Sequence, residues 1–448
     1  MKTITRKYNL AVITCTALLA GTGILAQEKE KQAAELRITI DEAVSYAKEN
    51  NNIAAFARKE AQAAEADRKT VLSNALPNLE FSAGYDRYSN LTLYTSGLSD
   101  HTTNPRLPTS NAAAAGINAT FNLYSGGKQH SAENEAKIKK GLADLNAQDQ
   151  AGSIGFQTAN VYLDLLQLNE RKNFIADQLK RAETRLKNIN ALFQNQKVTR
   201  SDVLRAEVML SNVKLSMEQV QNDLLIKNKA LNVLMNIEEN ASVIPTDSAG
   251  MPKPDLSQYI GQNNLSQGSY SLQRADLLIQ GQQARLKTIK SNNYPTLALR
   301  TGYNLSYPNY LFFPPVDQFY SIGFVGARLQ YDIASLYKNK PNSQAAKLRI
   351  EEFQIQQQAV KQNVSQEISS LYIKYDEALH RIDVNKTSID QAKVNYKIVS
   401  TKYFNQLALL TDLLDADNLF EETRYNLTQA EVEAFRIYYR LQYLTGKL

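Results

Sequence analysis

The chain has 448 residues, is 43% hydrophobic and 21% charged, and carries a formal charge of +6, three histidines and one cysteine. Lys2, Arg6, Lys7 and the lone Cys15 all fall in an N-terminal leader, so the processed chain would carry +3 and no cysteine. That balance gives no reason to expect nucleic acid as a partner, and it excludes disulfide or thiolate chemistry after processing.

The leader is read from its three zones. Lys2, Arg6 and Lys7 make a positive start, Leu10 to Ala20 a short apolar core, and Gly21 and Gly23 lead to an expected cleavage after Ala26. Residues 1–26 therefore read as a secretory signal peptide, because the apolar run stops too soon to span a membrane. Lipidation at Cys15 is disfavoured, since it lies inside the apolar core and follows Thr14. No other stretch is apolar for the ~18 residues of a spanning helix. An exported chain of this kind is soluble, surface-attached or a builder of a closed β-barrel.

The rest divides into a first repeat (27–239), a linker (240–269) and a second repeat (270–448). Thr39-Ile40-Asp41-Glu42 is a capping box that opens a helix predicted to run to about Asn74, ended by Leu76-Pro77. Leu79, Phe81, Ala83 and Tyr85 then alternate with polar residues, as do Ile117, Ala119, Phe121 and Leu123, predicting two strands within 77–124. The Ser/Thr/Asn/Pro-rich loop between them, Ser89 to Asn111, is longer than a hairpin needs.

A proline-free helical pattern follows, with the hairpin placed over 128–236. Ile175, Leu179, Ala182, Leu186, Ile189 and Phe193 form a heptad seam, and a helix from Lys128 to Phe193 would be about 100 Å long. A polar break at Asn195 to Arg200 precedes a return helix.

The second repeat has the same order. A helix from Leu272 to Lys290 leads to strands within 295–331, with a bulge expected near Val325, and a long helix from about Pro341 opens a second hairpin over 341–445. Asn195-Gln196 and Asp202 recur 210 positions later as Asn405-Gln406 and Asp412. The seam keeps that offset, with Leu179, Ala182, Leu186, Ile189 and Phe193 matching Ile389, Ala392, Tyr396, Val399 and Tyr403, which marks one unit used twice.

The predicted class is a mixed α+β membrane protein: long antiparallel helical hairpins, with four strands per chain. Four strands cannot close around water, and an open sheet in lipid would leave unpaired edges, so closure needs several chains. A trimer would supply twelve strands. Asn118, Thr120 and Asn122 would line its lumen, while Phe81, Phe121, Leu297 and Leu299 would meet lipid and Tyr85, Tyr88, Tyr303 and Tyr307 would sit at the interface. The competing reading is a soluble β layer on a helical bundle, a structural protein without a pore.

The chain resembles the TolC-like outer-membrane efflux proteins. The resemblance is carried by Val198-Thr199-Arg200-Ser201-Asp202-Val203-Leu204-Arg205-Ala206-Glu207 and Asp412-Leu413-Leu414-Asp415-Ala416, and more weakly by Thr39-Ile40-Asp41-Glu42-Ala43, Phe121-Asn122-Leu123-Tyr124-Ser125-Gly126-Gly127 and Arg274-Ala275-Asp276-Leu277. It departs at Gln196 and Gln406, where the family often has glycine. The resemblance implies a homotrimer with a twelve-stranded barrel on a long periplasmic α-barrel, a periplasmic adaptor at the helical tips and an inner-membrane transporter. It implies the exit duct of a tripartite efflux pump, or of a type I protein secretion system.

Two groups of candidate residues follow. Val198, Thr199, Arg200 and Ser201, with Ala408, Leu409, Leu410 and Thr411, either present an adaptor surface or merely reverse the chain. Asp202, Asp412 and Asp415, with Asp417, are candidates for a charged constriction at the periplasmic mouth. For Asp202 and Asp412 the competing role is helix capping, with Thr199 a candidate cap. No enzyme, cofactor or metal is expected, since His101, His130 and His380 have no second histidine at ligand spacing and Ser125-Gly126-Gly127-Lys128 lacks the spacing of a phosphate loop.

Overall fold

In the computed structural model the described residues are 35–89, 92–94, 97–99, 101–103, 110–248, 268–311 and 316–448. The leader, including Lys2, Arg6, Lys7, Cys15 and the expected cleavage point, lies outside them, as do parts of the first strand-connecting loop and of the linker.

Strand β1 (Glu35–Ile38) leads into helix α1 (Ile40–Asn50). The capping box forms: the Thr39 N–H donates to Glu42 at 2.8 Å and the Glu42 N–H donates to Thr39 Oγ1 at 3.4 Å. The expected single helix is in fact two, because α2 (Asn52–Ser73) starts anew after Asn51. Asn51 is extended (φ −62°, ψ 136°), and its side-chain oxygen accepts from the Ile53 and Ala54 N–H groups. Its side-chain amide donates to the Leu234 carbonyl at 2.8 Å, so the kink is bolted to the return helix of the first hairpin. An asparagine inside a helical pattern gives no sequence signal for such a cap until its distant partner is known.

Strand β2 (Asn78–Arg87) is followed by the short strands β3 (Thr92–Tyr94) and β4 (His101–Thr103), an unexpected antiparallel pair that holds His101, and by β5 (Asn111–Tyr124). Helix α3 (Lys128–Gln194) and return helix α4 (Arg200–Met235) form the first hairpin. Then come β6 (Ser242–Pro245), helix α5 (Tyr270–Ser291), and strands β7 (Thr296–Tyr307) and β8 (Tyr320–Gln330). Helices α6 (Ser335–Phe404) and α7 (Leu410–Leu444) form the second hairpin. Helix α6 starts before the expected Pro341 and contains it. Pro341 stands early in the helix, where it removes one N–H donor and the rest of the helix continues past it.

The four long strands form one antiparallel sheet in the order β2-β5-β7-β8, leaving β2 and β8 as its edges. The expected bulge at Val325 is absent: β7 and β8 pair without a slip from Thr296↔Gln330 to Ser306↔Tyr320. The slip lies instead in β5, between Asn122 and Tyr124, where the sheet meets the helices. What resembled a bulge is Phe324 and Ile322 standing on the otherwise polar face, opposite Gly302 and Asn304. The Phe324 ring covers Gly302, where a side chain would collide with it.

Helix α3, at 67 residues about 100 Å long, is the axis of the chain. It packs on α4 and α2, on α5, and through α7 on the second hairpin. The largest core lies midway along it. Ile154, Tyr162, Leu163 and Leu166 pack against Ile40 and Val44 of α1, Leu231 and Met235 of α4, and Val432 and Tyr439 of α7. An unexpected parallel pair, β1 with β6, covers this belt, and Asp247 accepts from the Ile40 N–H at 2.8 Å and from the Tyr162 hydroxyl at 2.7 Å. Burial and the Asp247 carboxylate both push the Tyr162 phenol well above its usual range.

Asn51→Ala should lower stability by about 2 kcal/mol, through the lost cap and the stranded Leu234 carbonyl. Asn52→Ala, at an exposed neighbour bonded only side chain to side chain with Asn236, should be close to neutral. Thermal unfolding of the two variants in detergent followed by circular dichroism checks the contrast.

Candidate functional site

The ladder separates two faces of the sheet. Phe81 pairs with Ile117, Leu79 with Ala119, Phe121 with Leu299, and Leu297 with Leu329, all on one face. Tyr303 shares that face on the rung of Phe81 and Ile117, Tyr85 and Tyr307 share it at the far end, and Phe81 is 71% and Leu79 72% exposed in the single chain. The opposite face presents Glu80 across from Asn118, and Asn78 and Arg300 on either side of Thr120, with Asn122 opposite Ala298. Asn118 and Asn304 exchange side-chain amide hydrogen bonds at 3.4 Å. They lean over Gly116 and Gly302, positions where a Cβ would run into their amides. The four candidate apolar residues thus share one face, and the three candidate polar residues share the other. A sheet exposed on both faces, one apolar and one polar, suits lipid outside and water inside.

The two tip turns share one geometry. Gln196 and Gln406 adopt left-handed backbone (φ 57° and 63°), as expected of the position where glycine is favoured. The Gln196 N–H bonds the Phe193 carbonyl and the Lys197 N–H bonds Leu192, each at 2.9 Å. Gln406 and Leu407 make the same pair with Tyr403 and Lys402, at 2.9 and 2.8 Å. These are the paired bonds of a Schellman helix end, formed here without glycine.

Asp202 and Asp412 close the other side of each turn. Asp202 accepts from the Thr199 N–H at 2.9 Å while Thr199 Oγ1 accepts in return, and Asp412 accepts from the Leu409 N–H at 2.9 Å. Both carboxylates cap their helices in the single chain. Leu409 has no side-chain acceptor to answer with, so the second cap is half a box. Val198, Ala408, Leu410, Leu413 and Leu414 join Ile189, Val203 and Tyr403 in a core that ties the two tips together. Leu410 is only 4% exposed, whereas Leu409 is 69% and Leu407 76% exposed. Of the second tip's candidates, Leu409 is therefore offered outward and Leu410 is a packing residue. Tyr403 is buried in this core with its hydroxyl unbonded, and burial and the nearby Asp202 raise its phenol pKa.

Asp415 is exposed, as a pore-facing residue would be. Asp417 is not a constriction residue within this arrangement, since it is 2% exposed and engaged by two arginines of α3. Arg181 Nε donates to Asp417 at 3.0 Å and its Nη2 reaches Glu421, while Arg185 donates to the other Asp417 oxygen. Arg424 continues the network to Asp177 and Glu421 and stacks over the Phe174 ring at 4.0 Å. Burial raises the Glu421 carboxyl pKa, opposed by Arg181. Sequence reading missed this cluster, although Asp177, Arg181 and Arg185 on one helix and Asp417, Glu421 and Arg424 on another stand at same-face helical spacing.

Asp417→Asn should destabilise the hairpin pair by about 3 kcal/mol, because it leaves buried guanidinium unpaired. Asp415→Asn, on the exposed side of the same helix, should leave the unfolding temperature unchanged. Thermal scans of the two variants make the comparison.

Comparison with known proteins fits this geometry. The outer membrane efflux protein family model matches residues 43–236. The CmeC outer membrane channel of Campylobacter jejuni superposes with a TM-score of 0.74 at 16% identity, covering 98% of this chain and 94% of that one. VceC, an outer membrane protein of Vibrio cholerae, gives 0.74 at 15% identity over 91% and 96%. The MtrE outer membrane channel of Neisseria gonorrhoeae, in its open state, gives 0.71 at 16% over 91% and 88%. No curated protein matches by sequence. Identities this low speak for the fold. Residues 43–236 match the outer membrane efflux protein family model, and more than nine-tenths of the chain has the fold of the outer-membrane channels.

Proposed function

We propose that the chain is the outer-membrane exit channel of a tripartite efflux pump and works as a homotrimer. The observation that carries this reading is a two-faced, four-stranded sheet with both edges unpaired, continuous with two hairpins of about 100 Å. Three copies supply twelve strands, and six hairpins continue the barrel into the periplasm. Solutes pass down a water-filled path with no chemistry by the chain itself. Energy comes from an inner-membrane transporter, reached through an adaptor at the tips. The family description supports efflux over a type I secretion duct.

The adaptor meets two unlike surfaces. The first tip offers Thr199, Arg200 and Ser201 beside Lys197, with Arg200 and Ser201 exposed, and the second offers exposed Leu407 and Leu409. Asp202 and Asp412 hold these turns in shape, and Asp415 is the candidate for a charged ring at the mouth.

Arg200→Glu, or a bulky substitution at Ser201, should abolish efflux, read as drug accumulation in cells, while trimer levels stay normal. Normal efflux in both variants would contradict adaptor contact at this tip. Purified protein in planar bilayers should conduct, and Asp415→Asn should change that conductance. A soluble, non-conducting monomer would contradict the channel itself.

A further inference from the structure

The polar face of the sheet carries charge unevenly along its length. Arg300 pairs with Gly326 and Arg328 with Ala298, so the two arginines are diagonal neighbours, roughly 7–8 Å apart at Cα. Both stand near the strand ends that join the helices, Arg300 close to the start of β7 and Arg328 close to the end of β8. Both are exposed, and among the described residues neither is paired with a carboxylate. Their neighbours on that face are small or neutral: Asn78, Thr120, Asn122, Ala298 and Gly326. Within one chain the acidic groups of the face lie further along, with Glu80 on the next rung two strands from Arg300 and Asp86 near the opposite end.

The other face at this level carries Leu297, Leu299, Leu329 and Phe121. An unpaired guanidinium is too costly to turn toward lipid at a level so apolar, so the arginines belong to the water-filled side. Twelve strands ~4.8 Å apart, tilted by ~40°, close a ring about 75 Å around, with a Cα radius of roughly 12 Å. Side chains narrow that space further. Much of the cross-section is then within about one Debye length, ~8 Å at physiological ionic strength, of a guanidinium.

We propose that Arg300 and Arg328, two from each of three chains, form a guanidinium collar at the inner mouth of the outer-membrane pore that binds phosphate- or carboxylate-bearing polyanions. Guanidinium suits this role because its fork matches such groups and its charge does not titrate. The collar rests on the trimeric channel reading above, and it deepens that reading by naming a solute class the barrel retains or favours.

The test is calorimetric titration of purified, detergent-solubilised protein with inorganic tripolyphosphate at low ionic strength, with light scattering reporting the oligomer. The trimer should bind saturably. Arg300→Gln with Arg328→Gln should weaken binding about tenfold or more, whereas Arg300→Lys with Arg328→Lys should keep most of it, since charge remains while the fork is lost. Lys197→Gln with Arg200→Gln, which removes the basic tip, should bind as the parent does. A trimer that does not bind, or undiminished binding by a trimeric double glutamine variant, overturns the collar and leaves the channel reading standing. A protein that scatters as a monomer overturns the channel reading, and the collar falls with it.

Discussion

The structure depends on the unpaired backbone along β2 and β8. In water an edge strand can be solvated, but in lipid each unsatisfied N–H or C=O costs several kcal/mol. A sheet of four strands with an apolar face therefore fits a membrane only as part of a closed ring. The proposed trimer, the separation of lumen from lipid, and the placement of Arg300 and Arg328 all follow from that requirement.

The helical part answers a different demand, that of holding a duct open over a length no compact domain reaches. Individual seams are thin: much of α6 is exposed in a single chain, much of α3 is only half-buried, and the buried residues gather in a belt midway along α3, a seam along α6 and α7, and a core at the tips. Between the belt and the tips, the join from hairpin to hairpin is ionic, with Arg181 and Arg185 of α3 gripping Asp417 and Glu421 of α7. Such a pairing contributes less to stability than an apolar seam of equal size, but it fixes which faces meet. The tips repeat this economy. Two Schellman turns with glutamine in the left-handed position hold the reversal, while one tip exposes a basic surface and the other an apolar one.

Much of this was legible in the sequence because two periodicities were clean. Alternation in β2, β5 and β7 set both faces of the sheet, and the heptad seam with its 210-residue offset set the hairpins. What escaped was structure that depends on distant partners. Asn51 breaks a helix because its cap is locked to Leu234, and β1 pairs with β6 across some two hundred residues of chain. Four strand residues on each side can form a pair there only because α1, α3 and α4 have already brought them together. In β8, Phe324 disturbed the alternation and suggested a bulge, yet the ring lies over Gly302 and the register is unbroken. The ion cluster was missed because charges on long helices are solvated by default, and only the partner helix shows which are buried.

Closure of the sheet between copies is the central claim, and cysteine cross-linking tests it directly. The processed chain would have no cysteine of its own, so single cysteines along β2 (Asn78–Arg87) can be combined with single cysteines along β8 (Tyr320–Gln330) and oxidised in membranes. Pairs in the right register should give a covalent ladder that ends at three chains. No cross-link at any register, or a ladder running past three, would contradict it.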